Sequence, residues 1–312
     1  MIASSGDSIT KTKQQRKEEG RRRALDIAVA KQSASNYNQN DLEMKTTRHG
    51  ARNQHRHKHF ARWILDKFPH ILVECTDINV SDLISNDTEQ CTCANKMHIL
   101  DVAGGKGELS ARLSLCHSLR VVMIDPRPAD IESVYMNSVV PKLPKIWQQS
   151  MRNRLNNSPR FVQDELEKRF RQLVMPFSSP LCMDTNTNQL LESCFQDERL
   201  SAAVQNASLL IGLHADGATE AIVDAALVYQ KPFVVVPCCV FPNLFCERYI
   251  TVPASDITRS DSGSASSNND VKRIPVRTHD QFCTYLLAKD QRFVMETLPF
   301  DGRNVAIWWD GK

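Results

Sequence analysis

No stretch of eighteen consecutive apolar residues occurs in this 312-residue chain, so a membrane-spanning helix is not expected. The first residues, Met1 to Lys17, are polar and charged and lack the apolar core of a secretory signal. Glu18 and Glu19 among the neighbouring basic residues argue against a mitochondrial presequence as well. Without an export signal, the ten cysteines are expected to be reduced thiols in cytosol or nucleus, serving packing, catalysis or metal binding. No internal repeat is present. What remains is ordinary for a globular enzyme: 41% hydrophobic and 24% charged residues. The length fits one large domain with appendages, or two small domains.

The net charge of +3 conceals an asymmetry. Residues 1–62 hold fourteen Lys and Arg against six Asp and Glu. Residues 142–172 hold eight against three, and the remainder carries −10. Two basic segments on an acidic body fit a polyanionic partner such as RNA, contacted through residues 11–62 and 142–171. A disordered basic tail and one solvated helix face have the same composition, so for the tail both readings stand.

Residues 1–55 read as a flexible basic arm, and the folded domain is expected over 56–312. It opens on Arg56–Phe68, where Phe60, Trp63, Ile64, Lys67 and Phe68 recur at helical spacing. Apolar runs follow at His98–Val102, Val121–Ile124, Leu173–Phe177, Ser208–Gly212 and Phe233–Pro237. Helical patterns at Glu108–Leu119 and Thr219–Tyr229 come between them. Short continuous apolar runs separated by helices are what a parallel sheet covered on both faces requires. A basic helical insertion is expected at about 135–172, and the serine-rich residues 255–270 read as a disordered loop. After a helix at His279–Lys289, strands at Arg292–Leu298 and Val305–Trp309 flank Asp301-Gly302. Asp-Gly between apolar runs signals a hairpin, so the chain should end in an antiparallel pair.

The most informative stretch follows the first strand: Asp101-Val-Ala103-Gly104-Gly105-Lys106-Gly107-Glu108-Leu109. An acid at a strand tip, a turn of small residues and a helix start allow close backbone approach to a ligand. Small residues at Ala103, Gly105 and Gly107 differ from the dinucleotide fingerprint, and Ser110 stands where that pattern needs Gly or Ala. No G-K-[ST] follows, which excludes a phosphate-binding P-loop. The second strand ends in Asp125, and an acid at the tip of the neighbouring strand can accept both hydrogen bonds of a ribose diol. In this order the motifs resemble the class I S-adenosylmethionine-dependent methyltransferases, with Ala103 in place of that family's usual first glycine. The resemblance covers roughly residues 56–310. It implies a Rossmann-like α/β fold with a mostly parallel seven-stranded sheet and a C-terminal antiparallel hairpin. It also implies S-adenosyl-L-methionine as cofactor: Ala103, Gly105 and Gly107 along its methionine part, with Gly104 in the same turn. Asp101 would then hold the amino-acid end and Asp125 the ribose, with Phe177 or Ser178 as candidates at the adenine.

A second signature spans strands four and five. Leu213-His214-Ala215-Asp216-Gly217-Ala218-Thr219-Glu220 and Pro237-Cys238-Cys239 both fall on the rim that carries the glycine turn. The pairing is similar to a branch of methyltransferases that includes eukaryotic tRNA ribose methyltransferases, although this chain lacks their cysteine-rich zinc module. Methylating an oxygen requires removal of its proton, and an imidazole near neutrality suits that task. His214 is therefore the candidate base or acceptor-orienting group, with Asp216 as a hydrogen-bonding partner. His214 as a structural histidine and Asp216 as a helix N-cap are the competing readings. Cys238 or Cys239 as a thiolate nucleophile or half a metal site competes with the favoured reading of small polarizable residues shaping the rim. Adjacent cysteines leave a strand on opposite faces, so no metal site is assigned there. Cys75, Cys91, Cys93 and His98 depart from zinc-knuckle spacing. His49, His55, His57 and His59 read as a positive surface near the site mouth, and Arg127 as a cofactor or phosphate contact or a solvated loop residue.

These readings combine into methyl transfer from S-adenosylmethionine to RNA, tRNA-like RNA included. The alternatives are a methyltransferase acting on a protein or small molecule, and an inactive methyltransferase-fold module that binds RNA.

Overall fold

The computed structural model of the chain describes residues 55–75, 97–179, 195, 197–253 and 271–312. All belong to one compact unit, Gly50–Lys312. The basic arm, Cys91, Cys93 and the serine-rich loop lie outside the described residues. Two short helices, α1 (Arg56–Lys67) and α2 (Pro69–Leu72), precede β1 (His98–Val102). Then come α3 (Glu108–Ala111), β2 (Val121–Asp125), α4 (Ile131–Val134), α5 (Lys145–Asn157), α6 (Phe161–Arg169) and β3 (Phe170–Val174). The second half runs through α7 (Glu198–Gln205), β4 (Ala207–Leu213), α8 (Thr219–Val228) and β5 (Phe233–Val236). It closes with β6 (Tyr249–Pro253), β7 (Val271–Pro275), α9 (His279–Leu287), β8 (Val294–Thr297) and β9 (Val305–Trp309).

Seven strands form one sheet in the order β3-β2-β1-β4-β5-β9-β8. The first five are parallel; β9 runs antiparallel to β5, and β8 antiparallel to β9. This is the Rossmann-like α/β fold that the motifs imply, closed by an antiparallel hairpin. The order reverses between β1 and β4, so the carboxyl ends of β1, β2 and β4 border one crevice, the usual ligand position in such a sheet. No described helix is long and apolar enough to cross a membrane.

The central strands β1, β2, β4 and β5 are mostly apolar because both faces of the sheet are covered there. Successive residues go to opposite sides: Ile99, Leu209 and Val234 pack with Phe60, Ile64 and Phe68 of the N-terminal helices. Their neighbours Leu100, Leu210 and Val235 pack with Ile222, Phe282 and Leu286 of α8 and α9. On the first face, Trp63, Phe68 and Trp308 meet edge to face at 5.8–6.1 Å between centroids. Helix starts follow capping chemistry: Asp197 caps α7, Asp130 caps α4, and Thr278 with Gln281 makes a capping box at α9.

Three elements differ from the sequence expectation. The third strand lies at Phe170–Val174, three residues before the expected run, because an edge strand pairs only with β2 and tolerates Arg171 and Gln172. The helix after the glycine turn winds as α only to Ala111 and continues as a wider π turn over Arg112–Cys116. Strands β6 and β7 form a separate two-stranded sheet on either side of the serine-rich residues, which the apolar pattern did not announce.

Candidate active site

Three residues of the glycine turn take positive φ: Ala103 (54°), Gly105 (62°) and Gly107 (83°). Such angles turn the chain sharply from the end of β1 into α3. A Cβ on Gly107 would lie 2.1 Å from the Ile131 side chain, and one on Gly104 2.6 Å from Met123. Gly105 has nothing within 4 Å on that side. The turn is thus packed beneath and open above one residue, where a ligand can approach the backbone.

Two carboxylates lie beside this turn. Asp101 is 1% exposed and accepts a hydrogen bond from Ser110 Oγ at 2.6 Å. Ser110, the departure from the dinucleotide fingerprint, therefore has its own task. Burial pushes the Asp101 carboxyl up to about 7, with the Ser110 hydrogen bond opposing and the nearby Asp125 charge adding. The two acids are near enough to feel one another's charge. Asp125 is also 1% exposed, and its Oδ2 accepts the Gly105 amide at 2.9 Å. Its Oδ1 accepts the Arg127 amide at 2.9 Å and Nε at 3.0 Å, while Arg127 Nη2 reaches Oδ2 at 3.3 Å. Burial raises this pKa, but the Arg127 and Gly105 contacts outweigh it and the net shift is downward, so Asp125 stays ionised at neutrality.

Arg127 is a solvent-exposed loop residue whose guanidinium forks onto Asp125. A carboxylate offers about four acceptor positions, and here all four are taken. A ribose diol could bind Asp125 only by displacing the Arg127 side chain, which is 76% exposed.

The other half of the rim is differently built. His214 (φ 57°) follows β4, and its Nε2 lies 2.8 Å from the Arg303 carbonyl. Its Nδ1 lies 3.4 Å from Arg56 Nη1. A carbonyl only accepts and a guanidinium only donates, so these partners select the neutral tautomer with the proton on Nε2. Burial lowers its pKa; the Arg303 carbonyl opposes, while Arg56 and His57 lower it further. The imidazole keeps one basic nitrogen, Nδ1, shared with Arg56. Asp216 is not its hydrogen-bonding partner.

Asp216 is not the N-cap of α8 either: Ala218 occupies that position without a side-chain cap, after a 3-10 turn over Asp216–Ala218. Instead the Cys238 thiol donates to Asp216 Oδ1 at 3.0 Å. Burial and the hydrogen bond to Asp216 push Cys238 up to about 12, so it is a thiol at neutral pH and not the thiolate that covalent catalysis needs. Cys239 is also shifted up, chiefly by its hydrogen bond to Asp216. Strand β5 ends at Val236, so strand alternation does not separate the two sulfurs. Ligand atoms of Asp216, Cys238 and Cys239 all lie within 4.8 Å of one another. That corrects the expectation of divergent cysteines, although three donors fall one short of a closed tetrahedral zinc site.

Glu108 and Arg112 were not singled out in the sequence, whereas His57 was expected near the site mouth. Glu108 gathers Arg112 at 3.0 Å, Lys142 at 3.1 Å and His57 at 3.4 Å. Burial alone would raise its pKa, but these cations hold it at about 2. His57 and Arg56 bring the start of α1 to the rim, one toward each half. Phe177, a candidate for the adenine, packs on Phe195 at 5.6 Å between ring centroids and belongs to the core, while Ser178 is exposed. His98 bonds the Ala203 carbonyl at 3.0 Å, and Cys75 lies in the core beneath α1.

Compared with protein-family profiles and with characterised proteins, the sequence matches none. Among solved structures, it is similar to the methyltransferase domain of bacterial CtHen1, at 12% identity. That likeness covers 68% of this chain and 88% of that one, with a TM-score of 0.29. So loose a superposition leaves the assignment to strand order and to the chemistry of the rim.

Proposed function

We propose that this chain is an S-adenosylmethionine-dependent methyltransferase whose acceptor is RNA. The observation that carries the reading is the pair Asp101 and Asp125, buried near the tips of adjacent parallel strands beside the glycine turn, whose Gly105 backbone is open. When bound, the cofactor supplies a methyl group already activated by its sulfonium, so the protein has mainly to align an acceptor and exclude water. Asp125, released from Arg127, takes the ribose hydroxyls. Asp101, poised near neutrality, faces the amino-acid end and gives up its proton more readily beside a cationic ammonium. Gly105, with open space where a side chain would stand, would leave room for the methionine part. His214 orients the acceptor, and its Nδ1 takes the acceptor proton once Arg56 moves to a phosphate. The excess of cations over residues 142–172 supports a polyanionic acceptor.

A second reading, a fold retained without its cofactor, is favoured by one observation: Arg127 already fills Asp125. The two readings separate on methyl-group tracing with radiolabelled cofactor into total RNA and protein fractions. The parent should label RNA, and Asp125→Ala should label neither. Label in protein alone would move the acceptor, and no label from a folded parent would favour the second reading.

A further inference from the structure

A cavity of about 480 Å³ lies away from the glycine turn, between α1, the π segment after α3, and the helices α5 and α6. Its size is that of a ligand pocket. Five cations border it: Lys58, Arg62, Arg112, Lys142 and Arg154. One acid, Glu165, borders it too and is held by ion pairs to Lys168 and Arg169. Arg112 and Lys142 are tied to Glu108, and Arg62 to Asp66. Among the described residues, neither Lys58 nor Arg154 forms an ion pair; Arg154 lies over the Phe161 ring at 5.1 Å. The wall is therefore positive, and its free charge sits at the α1 and α5 sides.

The same wall is aromatic. Tyr135, Trp147 and Phe161 line it, and Trp147 is 60% exposed although it is the largest side chain of α5. Beside it Ile146 is 76% exposed, and no residue of α5 is buried. An indole left half in water beside unpaired cations is what a sequence-tolerant single-strand site uses: bases stack on the ring while phosphates follow the charges. A duplex presents its bases stacked internally and has none to offer the indole.

The position fits as well. Arg112, Leu115 and Cys116 of the cavity wall lie on the helical stretch that starts at Glu108, next to the glycine turn. The nine residues Glu108–Cys116 span at most ~14 Å at the α-helical rise. A strand held in the cavity could thus present a nearby nucleotide at the rim.

We infer that this cavity anchors a single-stranded segment of RNA, one base stacking on Trp147 and adjacent phosphates pairing with Lys58 and Arg154. The inference rests on the RNA methyltransferase reading but concerns a separate place in the fold. It is tested with the full chain, a fluorescein-labelled oligouridylate, an RNA duplex of equal length, and cofactor calorimetry on every variant. Trp147→Ala should weaken oligouridylate binding about tenfold, and Trp147→Phe should restore most of it. Lys58→Gln with Arg154→Gln should reduce the salt slope of log affinity by about 1.4, the release expected for two single-strand phosphates. Cofactor affinity should stay at the parent value in all of them. Parent-like oligouridylate binding by both sets of variants would overturn the anchor, as would a parent that prefers the duplex or binds neither. Those results leave the methyltransferase reading intact wherever the parent still binds cofactor. Loss of cofactor binding in folded Trp147→Ala would also overturn it, by making the cavity part of the cofactor site.

Discussion

The two halves of the rim are built by different means. At β1 and β2, both carboxylates are buried, and their partners come from the same short stretch: Ser110, Gly105 and Arg127. At β4 and β5, the backbone turns just as sharply at His214 and Asp216, yet the partners of His214 are remote. His214 is held by Arg56, 158 residues away, and by Arg303, 89 residues away. The local half is rigid in its own right, which suits holding a ligand. The long-range half depends on how α1 and the terminal hairpin dock, so its geometry can change when those elements engage a substrate.

If that contrast is right, small insults should separate the halves. Gly107→Ala combines a forbidden φ with a clash on Ile131 and should cost about 2 kcal/mol in urea unfolding. Gly217→Ala, whose Cβ would stay 3.7 Å from Phe245, should change stability by less than about 0.5 kcal/mol. Equal losses at the two positions would erase the distinction.

Asp101 sharpens it through pH. Its carboxyl is raised from 3.8 to about 7 on folding, so the native state binds the proton more tightly than the unfolded chain. Stability from this group is present in full below about pH 4 and drains away as pH rises to about 7. Asp101→Asn should therefore raise the urea midpoint more at about pH 8 than at about pH 5. In the parent, cofactor affinity should rise over about pH 6 to 8 and stay flat in the variant. A parent-like pH profile in Asp101→Asn would place the titration elsewhere.

The smallest effect concerns Arg127. Removing the exposed Arg127 guanidinium takes away a competitor for the Asp125 oxygens. Arg127→Ala should then bind cofactor up to about fivefold more tightly. Weaker binding would mean that Arg127 helps to hold the ligand.

The same division explains what could be read from the chain. The parallel core and the terminal hairpin were legible because a strand covered on both faces must be apolar, and Asp-Gly marks a turn. The positions of Asp101 and Asp125 near the ends of neighbouring strands were legible because they follow from local order. The third strand was displaced because its edge position relaxes the apolar requirement. The fork of Arg127 onto Asp125 depends on one rotamer. The tautomer of His214 depends on a carbonyl in the last hairpin. The convergence of Cys238, Cys239 and Asp216 depends on β5 ending one residue sooner than its apolar run suggests. None of these leaves a periodic trace in sequence.

Isothermal titration of S-adenosylmethionine into the parent, Asp125→Ala and Gly105→Arg tests the central claim most directly, with thermal melts confirming that each variant is folded. The account predicts saturable binding by the parent and its loss in both folded variants. Unchanged binding in those variants, or none by the parent, would contradict it.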